Sequence, residues 1–142
     1  MQGRILGLDY GTKTVGVAVS DPLFITAQPL TTIRRERPTK LRRTIAAIRE
    51  LVEKYEVSLF VVGLPMGLDG IEGEKCHAAR EFGTILTEKT GIPVKYQDER
   101  FTTVIAENAM RDAGYKDHVQ IKERVDETAA ALILQTYLDS SR

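Results

Sequence analysis

Apolar residues alternate or cluster in short runs at the start of the chain, then recur every three or four residues further on. Residues 4–8 and 15–20 read as β-strands. Between them Asp9-Tyr10-Gly11-Thr12-Lys13 reads as a turn in which glycine relieves backbone strain, so the two strands form a hairpin. Residues 27–33 make a third strand after a turn at Pro22, and Pro29 within it suits a sheet edge because it has no N–H to give a neighbour. Beyond Pro38, the spacing of Leu41, Ile45, Ile48, Val52 and Tyr55 predicts an amphipathic helix. The unbroken run 58–62, SLFVV, suits a strand buried on both faces between helices.

Residues 63–73, GLPMGLDGIEG, read as a loop. Ala78, Ala79, Phe82, Ile85 and Leu86 then mark a second helix that stops at Gly91. A strand follows over 92–97. Thr102 or Thr103 caps a helix reaching Ala113, and a last helix covers roughly 123–139. Strands alternating with helices in this order predict an α/β fold, a mixed five-stranded sheet flanked by helices. In such sheets ligands gather beyond the carboxyl ends of strands. That rule brings together Asp9 after the first strand, Gly63-Leu64-Pro65 after the fourth and Asp98-Glu99-Arg100 after the fifth.

Composition narrows the class. The 142 residues suffice for a single domain, 1–142, with an ordinary core. The lone Cys76 has no intrachain partner, and His77 and His118 do not complete a zinc pattern, which fits a reducing compartment. No stretch reads as a secretion signal or a membrane span, so the expected location is the cytoplasm, with no membrane partner. Twenty basic residues balance twenty acidic ones, and whole-molecule attraction to nucleic acid is not implied. Local charge differs: in 34–43, RRERPTKLRR, six cations oppose one glutamate. That stretch reads equally as a solvated segment or as a polyanion contact.

The acids are harder to place. Asp9 alone suits a turn, and Asp98 and Glu99 suit the entry to a helix. Asp126 and Glu127, however, stand directly before 128–134, TAAALIL, which is apolar around nearly its whole circumference, as a buried helix normally is. Acids arriving from two strand ends and a packed helix suggest one pocket. Carboxylates crowded there repel one another unless hard divalent cations such as Mg²⁺ or Mn²⁺ neutralise them. Spacing alone does not choose Asp126 over Glu127, or Glu99 over Asp98.

Four blocks carry a resemblance: LGLDYGTKTVGVAVSD at 6–21, GLP followed by DGIEG within 63–73, DERFTT at 98–103 and VDETAAALILQTYLD at 125–139. In this order they resemble the YqgF family of Holliday junction resolvases, which has an RNase H-like fold and is also implicated in maturing the 5′ end of pre-16S ribosomal RNA. The resemblance implies a metal-dependent nuclease whose catalytic and metal-binding acids are Asp9, Glu99 and Asp126. Two Mg²⁺ or Mn²⁺ ions roughly 3.5 to 4 Å apart would activate water and stabilise the leaving oxygen, with Asp9 between them. It also gives weight to Lys13, Arg34, Arg35, Arg37, Lys40, Arg100, Lys122 and Arg124 as contacts to a nucleic-acid backbone. The chain departs from the family pattern at Thr14, where many members have Arg, and at Gly67, where many have Asn. The implied partner is an rRNA precursor or branched DNA, the latter requiring a homodimer because two strands are cut. Two other classes compete: an ATP-dependent phosphotransferase, for which one domain is too short, and a non-catalytic nucleic-acid-binding module.

Overall fold

A computed structural model describes residues 3–35, 37, 41–66, 71–99, 105, 108, 111–114 and 118–141, the last range without the side chains of 118–124. Strands β1 (Arg4–Tyr10), β2 (Thr14–Ser20) and β3 (Ala27–Arg34) come first. Helix α1 (Arg42–Tyr55), strand β4 (Val57–Leu64), helix α2 (Glu74–Thr90), strand β5 (Val94–Asp98) and helix α3 (His118–Ser140) follow. The strands form one sheet in the order β3-β2-β1-β4-β5. β1 and β2 are an antiparallel hairpin, β3 runs antiparallel to β2 at one edge, and β4 lies parallel to both β1 and β5. The carboxyl ends of β1, β4 and β5 therefore share one side of the sheet.

Alternation along the strands sorts side chains between two layers. Leu6, Leu8, Val15, Val17, Phe60 and Val62 face α1 and α2, where they meet Ile45, Ile48, Ala79, Phe82 and Leu86. Ile5, Ala18 and Val61 face the other way and pack against Ala130, Ile133, Leu134 and Leu138 of α3. Burial of such side chains contributes about 1.5–3 kcal/mol each, and α3 is accordingly apolar where it crosses the sheet. Gly91 takes a left-handed conformation, φ 75°, and its N–H closes α2 on the Thr87 carbonyl at 2.8 Å. Pro29 lies on the edge strand, near a register shift opposite Val17 and Ala18.

Several boundaries differ from expectation for identifiable reasons. β1 continues to Tyr10, and Asp9 pairs with Gly16, so Asp9 is a strand residue and the turn is confined to 11–13. α3 begins at His118 rather than 123, because Gln120, Lys122, Glu123 and Arg124 favour helix without adding apolar periodicity. Asp126 thus sits more than two turns inside the helix, beyond the reach of its N-terminal dipole. Of the helix expected to end at Ala113, Ile105, Asn108, Arg111 and Asp112 are helical. Ala113 lies in the turn that follows, and the remaining residues of that helix, with Pro38 and Gly67, lie outside the described residues. No helix among the described residues is long and apolar enough to cross a membrane.

Candidate active site

Asp9 emerges from β1 on the face covered by α3, in the same alternation as Ile5 and Gly7. Its antiparallel neighbour is Gly16, and on the other side the β1–β4 register, Leu8 with Val62, brings Gly63 alongside. Both glycines make room. A Cβ on Gly16 would lie 2.0 Å from the Asp126 carbonyl oxygen, and one on Gly63 would lie 2.9 Å from the Glu99 carboxyl. Real Cβ atoms do not approach so closely, so the acids occupy space that any side chain at 16 or 63 would fill.

Glu99 reaches the site from the end of β5, where its N–H donates to the Leu64 carbonyl at 3.0 Å and extends the pairing with β4. It is only 9% exposed. Burial first, and then the neighbouring Asp9 charge, pushes its carboxyl up to about 9. Burial likewise raises Asp9, to about 6; a hydrogen bond from Glu99 opposes that rise and the charge of Asp126 adds to it. The directions identify the proton: Glu99 O–H donates and the Asp9 carboxylate accepts. Asp126 completes the group from α3, its Oδ2 accepting the Thr14 hydroxyl at 2.7 Å. The three acids named by the resemblance thus converge, while Asp98 is exposed at the end of β5, where its charge also raises the Glu99 pKa.

The donors are all carboxylate oxygens, the set that suits a hard divalent cation. The Asp9–Glu99 pair fits such an ion in chemistry, since two neighbouring carboxyls whose pKa values are raised by burial and by each other's charge would be neutralised by a divalent cation as they are by a proton. Among the described residues no group of three or more His, Cys, Asp and Glu side chains is arranged to hold a metal. The Asp126 carboxylate accepts from Thr14.

The basic residues divide. Lys13, Arg34 and Arg37 are exposed. Lys40, Arg100 and the side chains of Lys122 and Arg124 lie outside the described residues. Arg35 differs from the solvent-facing reading of its stretch: it is 6% exposed, with its guanidinium turned into the β1–β2 turn. Lys75, in the first turn of α2, escaped sequence reasoning; its charge lowers the Glu99 pKa against the other influences. A lone lysine in a loop-to-helix segment carries no signal of its own.

The model of one family, RuvX, described as Holliday junction resolvase, matches residues 3–140. The chain is 52% identical over 136 residues to a protein of Agathobacter rectalis named "Putative pre-16S rRNA nuclease", covering 96% of this chain and 94% of that one. A protein of the same name from Lactobacillus gasseri is 49% identical over 140 residues, covering 98% and 97%. Among solved structures, Thermus thermophilus RuvC in complex with Holliday junction substrate superposes with a TM-score of 0.61 at 16% identity, covering 99% of this chain and 96% of that one. The Fowlpox virus resolvase, with its Holliday junction DNA, gives 0.57 at 12% identity, covering 97% and 98%. These likenesses establish the fold as the RNase H-like one that the resemblance implied.

Proposed function

The chain belongs to the RuvX family of nucleases, and from that premise we propose that it is a divalent-metal-dependent endonuclease acting on structured nucleic acid, with the 5′ end of pre-16S rRNA as its target. One observation carries the reading: Asp9, Glu99 and Asp126, far apart in sequence, meet under α3 at the carboxyl end of the sheet. A non-catalytic module has no use for a half-buried Asp9 held against a buried Glu99, an arrangement that costs stability at neutral pH.

Asp9, Glu99 and Asp126 would hold Mg²⁺ or Mn²⁺. When bound, such ions supply charge to activate water and to stabilise the leaving 3′ oxygen. The chain's own part is positional. Gly16 and Gly63 let the acids approach, Thr14 orients Asp126, and the Leu64 carbonyl fixes the Glu99 backbone. At neutral pH Glu99 holds a proton that it donates to the Asp9 carboxylate in a hydrogen bond, and that proton would have to leave for both acids to hold a cation. Lys13, Arg34 and Arg37 face solvent, where they would meet phosphates without reading bases.

The description of the matching family favours a second reading, resolution of branched DNA, for which two symmetric active sites, and hence a homodimer, would be needed. The test incubates the pure protein with a pre-16S rRNA fragment and with a four-way DNA junction in Mg²⁺ or Mn²⁺, alongside Asp9→Asn and Glu99→Gln. Cleavage of the RNA by wild type, lost in both variants, is the expected result. Cleavage of the junction alone would select the second reading, and equal cleavage by all three proteins would refute both.

A further inference from the structure

Arg35 is buried, yet its bonds go to carbonyl oxygens and not to a carboxylate. Nη2 donates to the carbonyls of Gly11 and Thr12 at 2.5 and 2.6 Å, and its own backbone N–H donates to the Lys13 carbonyl at 2.7 Å. The guanidinium lies 4.7 Å from the centroid of the Tyr10 ring, which itself stacks on Phe82 at 4.3 Å. Nε and Nη1 are buried without partners. A strut needing only to brace a turn gains nothing from a charge kept out of water with two donors unused.

The consequence lies on the other side of the turn. In a trans peptide the N–H points opposite to the carbonyl of the same plane, and no described peptide is cis. With the Gly11 and Thr12 carbonyls both drawn toward Arg35, the N–H groups of Thr12 and Lys13 are aimed the other way. Thr12 and Lys13 are exposed. Successive N–H groups turned outward on an exposed turn are donors for an anion's oxygens, with the Lys13 side chain exposed beside them and the Arg35 charge on the carbonyl side of the same peptides.

We propose that the β1–β2 turn is a phosphate-binding site for the nucleic-acid backbone, in which the Thr12 and Lys13 N–H groups are the donors and Arg35 is the positioning residue that orients them. The proposal rests on the nuclease reading and deepens it, since the turn leaves β1 just beyond Asp9 and a phosphate held there anchors the strand beside the acids. It also gives the buried charge a purpose: Arg35 holds the peptides and adds its field to the same anion.

The test is a titration of ¹⁵N-labelled wild-type protein in EDTA with two probes, a short RNA duplex and a four-way DNA junction. Saturable shifts of the Thr12 and Lys13 amides are expected with at least one probe. Arg35→Met should weaken binding about tenfold, the scale of one lost charge-assisted bond, and Arg35→Lys should restore only part because it lacks the planar fork. If binding shifts other amides and leaves these two unmoved, the turn site is refuted and the nuclease reading stands. If neither probe shifts any amide, the nucleic-acid reading falls and the turn site with it. The wild-type titration decides even if Arg35→Met fails to fold.

Discussion

Gly16 of β2 lies directly under the backbone of Asp126 in α3, so close that a Cβ on the glycine would stand 2.0 Å from the aspartate carbonyl oxygen. The contact sets how deeply α3 settles onto the hairpin and hence where the Asp126 carboxylate can reach. A methyl group there meets backbone, which cannot rotate away. Gly16→Ala should therefore destabilise the protein by about 3 kcal/mol, the upper part of the range for overpacking, and lift Asp126 from the site. Urea denaturation measures the first effect and a cleavage assay the second; an alanine variant of unchanged stability would mean that α3 does not sit where the structure puts it.

Gly63 poses a milder version of the same constraint. Its would-be Cβ meets the ends of two side chains, Ile133 Cδ1 at 2.6 Å and the Glu99 carboxyl at 2.9 Å, both able to swing aside. Gly63→Ala should cost about 1–2 kcal/mol but reduce cleavage by a larger factor, because the side chain that yields is the acid. Activity reduced only in proportion to the unfolded fraction would argue against Glu99 as a working carboxylate.

Much of this arrangement was legible before any coordinates. The apolar run around Phe60 and Val62 announced a central strand, and the spacing of Ile45 and Ile48 announced the helix on one face, because burial leaves a periodic mark. The three acids were nameable only through the family resemblance, since Asp98 and Glu127 stand one residue away and spacing does not separate them. The glycines at 16 and 63 left a trace that hairpin register could have exposed: Asp9 opposite Gly16 puts a missing side chain beside a charge. Arg35 left none. A buried cation inside a basic run looks like its exposed neighbours, and only the fold of the β1–β2 turn distinguishes it.

The Asp9–Glu99 pair makes a prediction about pH. Both carboxyls titrate higher in the folded protein, at about 6 and about 9, than their ordinary values of 3.8 and 4.5. The folded state therefore holds more protons than the unfolded one, so their contribution to stability is complete below about pH 4 and is lost as pH rises through the folded values. In EDTA, the Tm of wild type should fall between pH 5 and 9 relative to that of Glu99→Gln, by on the order of 5 °C. The glutamine amide still donates to Asp9 but has no proton to lose. Parallel curves for the two proteins would contradict the shared proton.

The Thr14 hydroxyl donates to Asp126 Oδ2 at 2.7 Å. Thr14→Val keeps the shape and removes the donor, so it should cost about 1 kcal/mol of stability and leave Asp126 free to rotate. Thr14→Ser keeps the bond and should behave like wild type. The informative measurement is the Mg²⁺ concentration giving half-maximal cleavage, which should change in the valine variant alone. Identical values in all three proteins would reduce Thr14 to a packing residue.

Metal binding itself has a readout that needs no substrate. A cation that binds only the folded chain stabilises it by RT ln(1 + [L]/Kd), about 2.7 kcal/mol when its concentration is a hundred times Kd. It also removes the repulsion among Asp9, Glu99 and Asp126 that the shared proton relieves only in part. Millimolar Mg²⁺ or Mn²⁺ should raise the Tm of wild type, and more at pH 8 than at pH 5, because protons compete for the same oxygens. Asp9→Asn should melt higher than wild type in EDTA, having lost a confined charge, and gain less from the ion. A metal-induced shift of equal size in wild type and Asp9→Asn would place the cation elsewhere and leave the three acids without the role proposed for them.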